Sequence, residues 1–431
     1  MITRLATSYF LFIFVAMKKL FYLFIPLFMF ACADDVFEED KTDTILTEGS
    51  WIMSFKPSLE NIIPVNFELV KEENVFKMIF SNDTEKIIYE NIAITNNTFK
   101  VFDPVFNSWF EGKIINNKKI QGVWHKENKD YNIPFTAVRS ELERFPKPEF
   151  MSDIHANVTG KWQVDFSKDN PDDYYPAIGV FQQAGEKLTG TFLTETGDYR
   201  YLEGNMYGED LYLSCYDGAH LFLFKATLRD DTLSGRFWSG NHWEEPWIAY
   251  KNGDAALSNP DSLTYLKDGF DHLAFSFPNA NGDTVSLSDE KFKNKVVIVN
   301  IMGPWCPNCK DETAYLAELY NNKKEEGLEI IALSFNKTED FDISKVTLNK
   351  LQEHFKADYD FLIAGKANKI EAAKALPMLN HVMSYPTSIF IDRKGNIRKI
   401  RTGFYGPGTG DYYTRYIEQT NDFINKLLEE K

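Results

Sequence analysis

Cys306-Pro307-Asn308-Cys309, with Glu312 three residues further on, is the stretch of this 431-residue chain whose residue types and spacing best suit chemistry. Two thiols this close serve reversible disulfide exchange, half of a zinc site, or a static bridge. The apolar run 295–302 (KVVIVNIM) predicts a buried strand, and the stretch 306–322 predicts a helix. Cys306 thus stands where a strand hands over to a helix, and Pro307 suits the first helical position, where its missing N–H costs nothing. A sulfur at the positive end of the helix dipole is favoured as thiolate, the nucleophilic form. Cys309, one turn later, reaches Cys306 but faces inward, the position of a thiol that resolves a mixed disulfide. A zinc site needs four ligands, and His272, His354 and His381 are scattered, with no second Cys-x-x-Cys nearby. Redox exchange is therefore expected, ahead of a structural bridge and with no metal and no cofactor beyond the Cys306-Cys309 disulfide itself. Glu312 shares a helix face with Cys309, Leu316 and Leu319. Two readings of it stay open: a partly buried carboxylate exchanging protons with the thiols, or a first-turn surface glutamate helped by the dipole.

The elements that must hold this motif fall into two kinds. From residue 49 to 252 the chain runs in short, aromatic-rich, alternating segments broken by turn residues, as at 75–80, 98–102, 188–192 and 211–215. This pattern predicts antiparallel strands in a barrel or sandwich. A repeat runs through it. Gly49-Ser50-Trp51 returns as Gly160-Lys161-Trp162, Phe110-Glu111-Gly112 as Phe224-Lys225-Ala226, and Ile120-Gln121-Gly122 as Leu233-Ser234-Gly235, at an offset of about 110 residues. Two related meander modules, 48–143 and 150–252, are expected, joined by the Pro-rich stretch 144–148. Gly-x-Trp at the head of a meander resembles the first strand of lipocalin-like barrels. Cys215 alternates with Leu211 and Leu213 and is expected in the β core. Trp238, Trp243 and Trp247 are expected to pack at core and rim rather than stack on a ligand. Residues 253–270 form a linker, after which strands alternate with longer helices: strands at 295–302 and 328–335, helices at about 346–355 and 369–379, a hairpin of 387–392 with 397–401, and a closing helix. That order is α/β.

Residues 295–312, together with Ser384-Tyr385-Pro386-Thr387 and the run to Ile397, resemble the TlpA/ResA-like family of thioredoxin-fold, membrane-tethered thiol-disulfide oxidoreductases. The resemblance covers 271–431 and implies a thioredoxin fold for that α/β domain; with the β region read from its alternation, the expected protein is multidomain, an N-terminal antiparallel β region followed by an α/β thioredoxin-fold domain. It also implies that Cys306 attacks and Cys309 resolves, that Trp305 shields the pair, that Pro386 is a cis-proline beside them, and that Glu312 is an active-site glutamate. A cis bond there presents the backbone of Tyr385 to the thiols, where an extended substrate pairs as an added strand. The sequence departs from the pattern at Asn300, where cytoplasmic thioredoxins carry aspartate, at Met302-Gly303-Pro304, and at the bulky Tyr385. The rival chemistry is a thiol peroxidase, but peroxiredoxins place threonine three residues before the reactive cysteine and position 303 is glycine. A second rival makes the β modules the ligand- or protein-binding part and the C-terminal domain an accessory.

Residues 1–32 look like a signal segment with its start at Met17: Lys18 and Lys19 precede an apolar stretch, and Met29-Phe30-Ala31-Cys32 resembles the lipobox of bacterial lipoproteins. Cys32 is then the lipidated residue, and the acidic stretch 33–47 is a tether that holds the folded body off a bilayer. It is also similar to acidic signals that send some lipoproteins to the cell surface. The expected location is the cell envelope, lipid-anchored in the periplasm or outer membrane, or on the surface, where disulfides persist. A net charge of −16 leaves no basic stripe for nucleic acid. The family likeness implies disulfide-containing protein substrates, such as apocytochrome c or misoxidised proteins, and electrons from a membrane thiol reductant of the DsbD/CcdA kind.

Overall fold

The computed structural model describes residues 45–73, 75–127, 131–149 and 156–430. The signal segment, Cys32 and the tether as far as residue 44 lie outside the described residues. The expected fold class is borne out, with two antiparallel β sheets ahead of a mixed five-stranded sheet and its helices.

The first sheet runs Glu85–Ile92, Val75–Asn82, Ile63–Glu72, Gly49–Phe55, Tyr131–Arg139, Lys119–Lys126, Ser108–Asn116, Thr98–Phe102. Alternate residues such as Trp51, Met53 and Phe55 fall on one face and are buried. Their apolar face curls the sheet until its ends meet. Phe80 and Phe110, each one strand in from an end, stack 5.5 Å apart, and Tyr89 on an outermost strand lies 5.4 Å from Phe110. The second sheet closes on itself, because Tyr175–Ala184 pairs with both Gly160–Phe166 and Lys187–Thr194.

The repeat is carried into three dimensions. Trp51 and Trp162 are buried alike, and each indole N–H donates to the carbonyl four residues back, Thr47 at 3.0 Å and Val158 at 2.8 Å. At Gly122 a Cβ would lie 2.2 Å from the Glu111 carbonyl oxygen, and at Gly235 2.0 Å from that of Lys225, so both copies need glycine where backbones cross closely. Because the Trp51 indole takes Thr47 as its acceptor and Leu46 is buried in the same core, the first module begins before residue 48, inside the stretch assigned to the tether.

The two β modules interlock. Tyr216 of the second enters the core of the first, 5.0 Å from Phe80 and 5.4 Å from Trp124, with its hydroxyl 2.5 Å from that of Tyr89. The Pro-rich joint is tied in as well, since Arg144 Nε donates to Asn66 Oδ1 at 2.9 Å and its Nη1 to the Ser214 carbonyl at 3.1 Å.

The C-terminal sheet runs Asp360–Lys366, Leu328–Asn336, Val296–Met302, Thr387–Ile391, Ile397–Thr402; the first three are parallel, and Thr387–Ile391 is antiparallel to both neighbours. Helices α1 (Pro307–Lys323), α2 (Phe341–Phe355), α3 (Lys369–Ala375) and α4 (Asp411–Glu429) accompany it. Three features differ from expectation. Strand Asp360–Lys366 was not foreseen, because the apolar run FLIA is too short for periodicity to tell strand from helix. Helix α2 starts at Phe341 because Asp340 caps it, Oδ1 accepting the Ile343 N–H at 3.1 Å. Helix α3 stops at Ala375 because Leu376 precedes Pro377 and leaves the helical region. The 253–270 stretch is pinned to this domain: the Thr402 N–H donates to Pro260 O at 3.0 Å and the Lys267 N–H to Met378 O at 2.8 Å.

All three parts meet at Arg200, whose side chain is 3% exposed. Its guanidinium hydrogen-bonds Glu85 of the first module and Asp311 of α1, donates to the Pro307 carbonyl at 3.2 Å, and faces Asp217 of its own module at 3.9 Å. Arg200→Met leaves these carboxylates buried without their counter-charge and is expected to cost about 3–5 kcal/mol, read as a lower midpoint in denaturant unfolding. An unchanged midpoint would show that the guanidinium does not hold the parts together.

Candidate active site

The strand Val296–Met302 is buried along its whole length, which fixes the chain that leaves it. Gly303 follows, where a Cβ would lie 2.6 Å from Trp305 Nε1, so glycine lets the indole fold back over the chain. Trp305 Nε1 donates to Phe335 O at 3.0 Å, and its ring meets that of Tyr385 edge-on at 5.7 Å. Cys306 is the N-cap of α1 with Pro307 at the first helical position. Its sulfur accepts the Cys309 N–H at 3.4 Å and lies 3.3 Å from Tyr385 O, as a thiol donor to that carbonyl. The Tyr385-Pro386 bond is cis. The fold therefore brings Trp305, Cys306, Cys309, Tyr385 and Pro386 together, and both cysteines are thiols.

The two thiols differ in environment. Cys306 retains 9% exposure, whereas Cys309 is fully buried and accepts the Gly303 N–H at 3.5 Å. Burial pushes the Cys309 thiol well above its usual range; the hydrogen bond and charge of Cys306, and the charge of Glu312, add to the effect. Glu312 is likewise buried, so the surface reading of this residue is excluded. Its carboxylate accepts Asn300 Nδ2 at 2.6 Å, Tyr416 OH at 2.9 Å and Ser388 Oγ at 3.0 Å. Burial raises its pKa, and these three donors only partly offset that. Asn300, at the position of the thioredoxin aspartate, thus orients a carboxylate instead of supplying one. Cys215 lies buried in the second barrel's core, away from the site, as expected.

Sequence reasoning did not foresee that the second β module frames the site. Asn308, between the two cysteines, donates to Phe404 O at 3.3 Å and to Asp198 Oδ2 at 3.4 Å. Asp198 also accepts the Gly406 N–H at 2.7 Å, and Ser384, next to Tyr385, donates to Thr196 O at 2.6 Å. A cleft of about 670 Å³ opens between the barrel mouth and Cys306, with Trp305 and Tyr385 on one wall and Trp243, Phe237 and Glu245 on the other. Trp247 is buried as expected, but Trp243 is 41% exposed and stands in this cleft. No local signal marks these partners, because they lie roughly a hundred residues or more from the motif in the chain.

Glu312 titrates higher in the folded chain than in the unfolded one, so stability is lost as pH rises past the ordinary glutamate range towards the raised value. Glu312→Gln removes that loss. The variant's thermal midpoint is expected to gain on the native protein's between pH 4 and pH 7, and a constant difference would contradict the raised pKa.

Comparison with known proteins gives one family and consistent relatives. The model of the AhpC/TSA family matches residues 271–400. The thiol-disulfide oxidoreductase ResA of Bacillus subtilis is 26% identical over 156 residues, which are 36% of this chain and 77% of that protein. The ResA of Oceanobacillus iheyensis is 31% identical over 155 residues, 36% of this chain and 66% of that one. Among solved structures, a thioredoxin-family thiol:disulfide interchange protein of Chlorobium tepidum aligns over 37% of this chain and 95% of its own, at 17% identity and a TM-score of 0.29. None of these alignments is long enough to take in both β modules. The C-terminal part of this chain is a thioredoxin-fold domain whose residues 271–400 match the AhpC/TSA family model, and it is similar to the thiol-disulfide oxidoreductase ResA.

Proposed function

We propose that this chain reduces disulfide bonds of protein substrates outside the cytoplasm. The observation that carries the reading is the asymmetry of the dithiol, with Cys306 at the edge of an open cleft beside Pro386 and Cys309 sealed behind it. The Cys306 thiolate attacks one sulfur of the substrate disulfide. An S–S bond forms between the two proteins, and the substrate's other sulfur leaves as thiolate and takes up a proton. Cys309 then passes its proton to the Glu312 carboxylate and attacks Cys306, which breaks the mixed disulfide, closes the Cys306-Cys309 disulfide and releases the second substrate sulfur as a thiolate that takes up a proton from water, while Glu312 gives its proton back to water. Two electrons and two protons reach the substrate. Trp305, Tyr385 and Pro386 form the substrate-binding surface beside the reacting sulfurs.

A membrane thiol reductant of the DsbD/CcdA kind restores the dithiol, and no cofactor takes part. Lipid on Cys32 holds the protein to the cell envelope. Among the described residues no helix is long and apolar enough to cross a membrane. Cys32→Ala is expected to move the protein from the membrane to the soluble fraction of cells, and continued membrane retention would refute the anchor.

The reaction is tested by trapping and by potential. Cys309→Ser is expected to accumulate a mixed disulfide with an oxidised protein substrate, while Cys306→Ser accumulates none and loses turnover; turnover that survives Cys306→Ser would sink the mechanism. Equilibration with glutathione is expected to place the pair near the thioredoxin value of about −270 mV, and a value near about −120 mV would make it an oxidant.

A further inference from the structure

The mouth of the second barrel faces Cys306 across the cleft, whose lining holds three carboxylates and no lysine or arginine. Glu245 is buried there, its carboxylate held by Ser167 Oγ at 2.7 Å and Tyr175 OH at 2.8 Å. Both donors are neutral hydroxyls, so they orient the negative charge without neutralising it. Glu195 and Asp198 add carboxylates to the same cleft, and its only imidazoles are His220 and His242. His220 is shifted downward by burial and takes Asp217 as its partner, so it brings no lasting positive charge at neutral pH. The walls beside Glu245 are aromatic: Tyr175, Phe237 and Trp243. An oriented, desolvated carboxylate ringed by aromatic faces is a site for a cation with an apolar stem.

The wall is also fixed in register with the thiols. Ser384, Asn308 and Gly406 of the C-terminal domain bond to the loop that carries Thr196 and Asp198, and Tyr405 OH donates to Thr194 O at 3.1 Å. The cleft volume of about 670 Å³ accommodates a few side chains of a peptide.

We propose that this barrel mouth is the specificity pocket of the dithiol and selects protein disulfides with a lysine or arginine close to the attacked cysteine. The basic head pairs with Glu245, and its methylene stem lies against Phe237 and Trp243. The proposal rests on the reductase reading above and adds its substrate class.

The test uses the full chain, reduced beforehand, in single turnover against two disulfide-linked peptides that differ only in lysine or glutamate two residues from the cysteine. The lysine peptide is expected to react about tenfold faster. That ratio is expected to fall towards one in Glu245→Gln and in Trp243→Ala, the second variant altering an exposed ring that the barrel core does not need, and to shrink as salt is raised. Equal rates for the two peptides with the native protein, or a ratio untouched by both substitutions, would overturn the pocket and leave the dithiol chemistry standing. Failure to reduce either peptide would overturn the reductase reading instead.

Discussion

A guanidinium withdrawn from water must be matched by charge, and the way Arg200 meets that demand organises the molecule. Its partners come from every part: Glu85 from the first module, Asp217 from its own, Asp311 from the helix that begins at the dithiol. None of these parts satisfies it alone. The same side chain donates to the Pro307 carbonyl, so the constraint that joins the domains also fixes the first turn of the active helix.

From that fixed turn the remaining properties of the site follow by burial. The active helix is pressed between the central strand and the second barrel, which leaves Cys306 marginally accessible and excludes water from Cys309 and Glu312. Desolvation favours the neutral form of each acid, and a charged Glu312 pushes the Cys309 thiol further up, so the two ionisations oppose one another. Asn300, Ser388 and Tyr416 hold the carboxylate with directional donors.

What the sequence made legible was local. The strand-to-helix placement of Cys306, the proline at the first helical position and the inward thiol of Cys309 were all written in a dozen consecutive residues. The module repeat was legible because paired tryptophans and crossing glycines are demanded by each copy independently. Strand Asp360–Lys366 escaped because four apolar residues carry no period. The start of α2 is legible in Asp340, whose carboxylate accepts the Ile343 N–H. Arg200, Asp198 and Glu245 escaped for a different reason: a buried charge far along the chain looks like any surface charge until its partners are known. Trp243 keeps the expected rim position, but its place in the cleft is not legible, because a tryptophan at a barrel rim has the same neighbours in sequence whether its ring turns to the core or to a cleft.

Gly303 has a bearing on the turn that leads into the dithiol. A side chain there would strike the Trp305 indole, whose N–H is committed to Phe335 O at 3.0 Å. Position 303 is also where peroxide-reducing enzymes carry the threonine that serves their cysteine. On this backbone any side chain at 303 meets the indole first, so one of the two has to shift. One missing Cβ therefore lets the indole stay folded over the turn that leads into the dithiol.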